Sequence, residues 1–188
     1  ESDLKYFRWN TVLDFQGKDE TLLHTIADRK EHQPEAISYY KDASKTETTD
    51  SCSNFGSLQA INVVKRNQSG VILELELEFQ NGAVSVQSEY NMRAILGCGI
   101  TNINLLDGSS VEMSILPSAY ISIQAKGDGT YAVLGGGYGH GIGMSQNGAQ
   151  KLCGQGFDYK RILNYFYQDT ELTELYQPQN TTKEEGGA

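Results

Sequence analysis

The chain has 188 residues, with 15 basic and 24 acidic side chains and a formal net charge of -9. That length suits one good-sized domain around a single core. With no apolar run of 18 residues, neither a membrane-spanning helix nor a secretory leader is expected within it. Residues 1–57 and 58–176 each carry 7 basic and 11 acidic groups, so no segment is basic enough to track nucleic-acid phosphates or an anionic lipid surface.

From Tyr6 to Phe15 large apolar and polar residues alternate, which predicts a strand ended by Gly17. Leu22, Leu23, Ile26 and Ala27 then recur at helical spacing behind Asp19 and Glu20, predicting a short amphipathic helix over 18–30. Residues 31–57 hold only seven apolar side chains in 27, and read as a solvated, partly disordered polar insertion. Strands follow near 60–64, 71–79 and 83–87, with turns at Ser69-Gly70 and Asn81-Gly82. They read as a meander with one buried face and a row of Glu74, Glu76 and Glu78 facing water. A helix over 88–96 closes at Gly97, read as its C-cap. Two more strands, 120–125 and 131–134, precede a helix over 145–153. A last helix begins at Asp158 as N-cap, with Phe157 stapled to Ile162. The fold class is α+β, mainly antiparallel meander or barrel-like sheets with three to four short helices. Residues 1–176 form the domain, and 177–188 are expected to be a disordered tail.

Cys52, Cys98 and Cys153 lack C-x-x-C spacing, and His24, His32 and His140 sit in no metal-ligand pattern, so no metal is expected. One Cys98–Cys153 bridge fits the count; buried free thiols are the preferred reading.

Of the 20 glycines, 11 lie between Gly127 and Gly156. The run Gly135 to Gly143 has no Gly-Lys-Ser/Thr ending and no G-x-G-x-x-G register, so no nucleotide cofactor is expected. Gly143-Met144-Ser145-Gln146-Asn147-Gly148 misses the G-x-S-x-G elbow, and Ser145 reads as a helix N-cap rather than a nucleophile. Two readings remain for the run: a tight strand-to-helix crossing, or the wall of a groove in which a polymer approaches bare main chain beside Tyr138 and His140.

Gly139-His140-Gly141-Ile142-Gly143-Met144-Ser145-Gln146-Asn147-Gly148-Ala149, followed by Gly156 to Leu163 and Tyr165-Phe166-Tyr167, closely resembles the C-terminal signature of the SpoIID/LytB family, named for stage II sporulation protein D and an amidase enhancer. Tyr6-Phe7-Arg8-Trp9, the Lys65 to Gly70 hairpin and Met92 to Gly97 agree with that pattern, and Leu116 to Ala119 fits it weakly. The resemblance implies a bacterial, extracytoplasmic protein acting on the glycan strands of peptidoglycan, secreted or anchored by a segment outside this sequence. It also implies a lytic transglycosylase or a partner of a cell-wall amidase. The family's general acid is a glutamate in a Glu-Ala-Leu-Lys-Ala-Gln-type helix ahead of the Phe-Arg-Trp strand, and no such stretch occurs here. The chain alone is therefore expected to be catalytically silent, its acid lying upstream, and whether it belongs to an enzyme or to a non-catalytic module stays open. The implied substrate-binding residues are Tyr138, Gly139, His140, Gly141, Gly143, Ser145 and Gln146, with His140 placed to orient a hydroxyl or the absent carboxylate.

Overall fold

A computed structural model describes residues 4–173, in two compact units that divide between Ile142 and Gly143. The expected tail, 177–188, lies outside the described residues.

The first unit holds two five-stranded sheets. One is ordered β8-β7-β1-β10-β9, from β1 (Trp9–Asp14), β7 (Ile103–Leu105), β8 (Ser110–Val111), β9 (Ile121–Ala125) and β10 (Thr130–Gly135). The other is ordered β3-β2-β6-β5-β4, from β2 (Ile37–Tyr40), β3 (Thr48–Thr49), β4 (Leu58–Arg66), β5 (Ile72–Phe79) and β6 (Gly82–Val86). Every paired strand is antiparallel and neither sheet closes on itself, so the class is α+β without a barrel. Helices α1 (Asp19–His32) and α2 (Glu89–Gly97) pack Leu22, Ile26, Met92, Ile95 and Leu96 into one core with Leu13, Val133, Leu75 and Val84 from both sheets. Burying an aliphatic side chain of this size contributes about 1.5–3 kcal/mol, so this shared core is the main force holding the sheets in place. Among the described residues no helix is long and apolar enough to cross a membrane.

Several expectations change. The stretch 31–57 is not a solvated excursion throughout: β2 pairs with β6, and Ile37, Tyr39, Cys52 and Phe55 are buried. The glutamate row does not all face water. Lys45, held at φ 56 in the turn after β2, carries its ammonium onto Glu76, and Glu76 is buried. Glu74 instead accepts from the Ser85 hydroxyl at 2.9 Å. Gly97 is not a left-handed cap; a Cβ there would lie 2.1 Å from the Ser114 carbonyl, so glycine is required by close main-chain packing. Tyr6 to Arg8 form a turn ahead of β1 rather than its first residues, with the Phe7 N–H donating to Leu4 O at 2.9 Å. Strands β7 and β8 come from a region with no predicted element. Cys153 is exposed rather than buried.

The second unit contains α3 (Gln146–Gly154) and α4 (Tyr159–Phe166). Asp158 caps α4 as expected, its carboxylate accepting from the Arg161 N–H at 2.8 Å. Gly148 lets the two helices approach, since a Cβ there would lie 3.0 Å from the Phe166 ring.

Candidate functional site

The glycine run begins where β10 ends. Gly135 is pressed under the Trp9 indole so closely that a Cβ would fall 2.1 Å from the ring. Beyond it, Gly137, Gly139 and Gly141 take φ of 77, 114 and 72, a region costly for side-chain-bearing residues. Tyr138 and His140, between them, and Ile142, which follows Gly141, are exposed.

Two other segments hold this path. On one side the Gly137 N–H donates to Tyr6 O at 2.8 Å, and the Trp9 indole N–H donates to Gly137 O at 3.1 Å. On the other, the Gly139 N–H donates to Pro117 O at 2.9 Å, and the Gly136 N–H donates to Tyr120 O at 3.0 Å. The buried Ser118 hydroxyl donates to Gly136 O at 2.8 Å while accepting from the Tyr120 N–H at 3.2 Å. These bonds satisfy main-chain groups that the departing strand would otherwise leave unpaired.

Tyr138 is 65% exposed and its ring stands 4.8 Å from that of Tyr6, tilted by 34°. The pair makes an open aromatic surface. Nδ1 of His140 accepts from the Ile142 N–H at 2.8 Å. A neutral imidazole that accepts at Nδ1 carries its proton on Nε2, so His140 offers a donor to a ligand.

Beside the run lies a cleft of about 430 Å³ lined by Arg8, Arg66, Tyr120, Leu134 and the main chain of Gly135 and Gly136. Arg66 donates to Gly70 O and Ile121 O, both at 2.8 Å, fastening the β4–β5 hairpin to β9. Arg8 donates to its neighbour's carbonyl, Phe7 O, at 2.8 Å and lies 4.2 Å over the Phe7 ring. Arg8, Arg66, Ser118 and Tyr120 are not singled out by the glycine motif. They lie within or next to the Phe-Arg-Trp, hairpin and Leu-Pro-Ser stretches that carry the family resemblance, and the fold gathers those stretches around one edge.

In the second unit, Ser145 accepts from the Gly148 N–H at 3.1 Å and caps α3, as expected of an N-cap rather than a nucleophile. Gln146 is the first residue of that helix and is exposed. At Gly143 the φ is 86, and a Cβ would lie 3.1 Å from the Tyr167 hydroxyl, which accepts from the Met144 N–H at 3.2 Å. The implied binding residues thus fall in both units, with Tyr138, Gly139, His140 and Gly141 in the first and Gly143, Ser145 and Gln146 in the second.

A larger cavity, about 670 Å³, lies elsewhere in the first unit and includes Leu23, His24, Lys30, Tyr39 and Cys52. Burial pushes the Cys52 thiol up, partly opposed by its contact with the Tyr39 hydroxyl. Burial also raises Tyr39. Neither group is primed as a nucleophile. Among the described residues no three His, Cys, Asp or Glu side chains gather in a metal-binding arrangement.

Residues 29–143, more than half of the chain, match the family model described as a domain of unknown function (DUF8618). The match ends beside the division between the two units. Two curated relatives come from Bacillus subtilis (strain 168). An amidase enhancer is 34% identical over 89 residues, covering 47% of this chain and 12% of that protein. Stage II sporulation protein D is 36% identical over 76 residues, covering 40% of this chain and 22% of that protein. The alignments therefore span well under two thirds of either relative.

Proposed function

The chain belongs to the DUF8618 family and is SpoIID/LytB-like, and on that premise we propose that it binds the glycan strands of bacterial peptidoglycan, as the substrate-wall portion of a SpoIID-like lytic transglycosylase acting outside the membrane. The observation that carries this reading is the Tyr6–Tyr138 pair, with Tyr138 exposed, together with His140, two residues on, whose Nδ1 is engaged by the main chain and leaves Nε2 as a donor, on a run rich in glycine. Sugar rings present apolar C–H faces edged by hydroxyls, and an exposed aromatic surface next to a fixed donor meets both. Bare main chain lets a polymer come close enough for its hydroxyls to reach amides. Gly141 gives that access in the first unit, where Gly139 keeps a side chain out of the way while its own N–H is held by Pro117 O, and Gly143, Ser145 and Gln146 continue the sequence motif.

Cleavage by this chemistry needs a carboxylic acid to protonate the glycosidic oxygen and a base for the sugar's 6-hydroxyl. Residues 135–149 contain no Asp or Glu, so the acid comes from another segment, upstream in this reading. His140 then positions substrate or that carboxylate. A second reading, a non-catalytic module that works with a cell-wall amidase, is favoured by the same lack of a carboxylate and by the relative named as an amidase enhancer.

The test is incubation of the full-length protein with peptide-stripped glycan, with mass detection of 1,6-anhydro products and a parallel co-sedimentation assay. Anhydro products support the transglycosylase, and sedimentation without products supports the module. Unchanged binding and cleavage in His140→Ala would sink the glycine-histidine edge as the contact site.

A further inference from the structure

The outer face of the first sheet carries a polar row that strand propensity alone does not favour. Along β1 the buried Trp9, Thr11 and Leu13 alternate with Asn10, Val12 and Asp14, which face away from the core. The register sets Asn10 opposite Asn104 of β7 and Leu134 of β10, Asn104 opposite Ser110 of β8, and Leu134 opposite Ser122 of β9. Ser110, Asn104, Asn10, Leu134 and Ser122 therefore form one line across all five strands, about 4.8 Å from strand to strand, and each is exposed. Asparagine is disfavoured in strands, yet two face each other here, one of them on the central strand. A departure from local preference of this kind is expected at a functional surface.

The row is ordered by its own bonds. The Ser110 hydroxyl donates to Asn104 Oδ1 at 2.8 Å, and Asn104 Nδ2 donates to Asn10 Oδ1 at 3.1 Å. Amides held in this way have already met part of the ordering cost of binding. The Asn10 amide ends the series, and among the described residues its Nδ2 donates to none. Charge is nearly absent from this face: among the described residues of these strands, only Asp14 brings one, and its Oδ1 accepts from the Gln16 N–H at 2.9 Å. In a chain of net charge -9, so neutral a face suits an uncharged ligand rich in hydroxyls and amides, not an anion or a basic partner. Leu134, 64% exposed, sets an apolar surface within the row for the C–H face of a sugar ring. Leu134 and Ser122 also border Gly135 and Gly136, so the row is continuous with the start of the glycine run.

We infer that this row is a second glycan-binding surface, which holds the acetamido and hydroxyl groups of a neutral sugar polymer on the outer face of the sheet. The inference rests on the glycan-binding reading and deepens it, adding a surface and the class of group it recognises. An acetamido group both donates and accepts, as the Asn10 and Asn104 amides do, and the Ser110 and Ser122 hydroxyls match sugar hydroxyls in the same way. Recognition on this face involves no ion pair, so it is indifferent to any charge the strand carries elsewhere.

The test is a titration of the full chain with the linear pentamer of N-acetylglucosamine, an uncharged probe, followed by NMR. The side-chain amide signals of Asn10 and Asn104 should shift, along with the ring signals of Tyr138 and His140. The matching glucose pentamer, which lacks acetamido groups, should bind about three- to tenfold more weakly, and raising the salt should change neither affinity by more than about twofold. Asn10→Thr removes the amide but suits a strand better, so affinity for the acetylated pentamer should fall about three- to tenfold with no drop in the thermal midpoint. Leu134→Asp, at an exposed position, should weaken binding by a similar factor. Shifts confined to Tyr138 and His140, equal affinity for the two pentamers, or native affinity in both variants would each overturn the row while leaving the glycine-histidine edge in place. No shift at any of these residues would overturn both readings.

Discussion

The indole N–H of Trp9 donates to the carbonyl of Gly137, 128 positions away in the chain, across 3.1 Å. The same ring covers Gly135, so Trp9 both closes the end of β10 and fixes the first left-handed residue of the glycine run. Trp9→Phe removes the donor and leaves a half-buried carbonyl short of a partner. A loss of about 1 kcal/mol is expected by urea denaturation. Gly135→Ala should cost more, about 1–3 kcal/mol, because the added methyl drives into the indole. A stability for Gly135→Ala equal to the native value would mean that the ring does not sit there.

His140 separates local structure from binding. His140→Ala removes the acceptor for the Ile142 N–H together with the Nε2 donor, while His140→Asn can still accept from the main chain two residues on. Glycan affinity should fall about tenfold in both, with thermal stability lowered only in the alanine variant. Nitrogen NMR of the native protein at neutral pH should show an unprotonated Nδ1 and a protonated Nε2. The reverse tautomer would contradict the donor role.

Lys45 is held up in pKa by its hydrogen bond to Glu76, opposed by burial and aided by Glu74. Lys45→Met strands a buried carboxylate and should lower stability by about 1–3 kcal/mol at pH 7. Adding Glu76→Gln should restore more than half of that loss. Failure of the double variant to recover would show that the loss comes from the turn rather than from the charge.

Alkaline pH should weaken the protein through Cys52 and Tyr39. Burial raises both groups in the folded state, so the unfolded chain releases their protons first. Their contribution is fully present below the unfolded thiol value and fades as pH rises, starting at about pH 8.5. The urea midpoint should fall between about pH 8.5 and 10.5, and less steeply in Cys52→Ala. A flat profile in the native protein would rule out the burial account.

The central meander could be read in the sequence because β5 alternates over eight residues between two glycine turns. Strand β2 could not, since Ile37 and Tyr39 alternate over only four residues inside a polar stretch. Strands β7 and β8 are three and two residues long, too short for any period to register. The burial of Glu76 depends on Lys45, which arrives from a turn some 30 positions earlier and leaves no trace in the local pattern. At the site, Tyr138 and His140 stand out because glycines frame them. Arg8, Arg66 and Tyr120 meet only in three dimensions, where a turn, a hairpin and the start of β9 converge on the cleft.

Handedness divides the glycine run into two kinds of position. Gly137, Gly139 and Gly141 set the direction of the chain, and any other residue there would redirect it. Tyr138 and His140 carry the chemistry, with exposed Ile142 after them, and His140 alone of the three also accepts from the main chain of the run. Randomising 138, 140 and 142 together should yield folded proteins with altered ligand preference, whereas randomising 137, 139 and 141 should yield few folded proteins. The run is in effect a fixed rail with three interchangeable fittings, which makes it a practical place to redesign what this protein recognises.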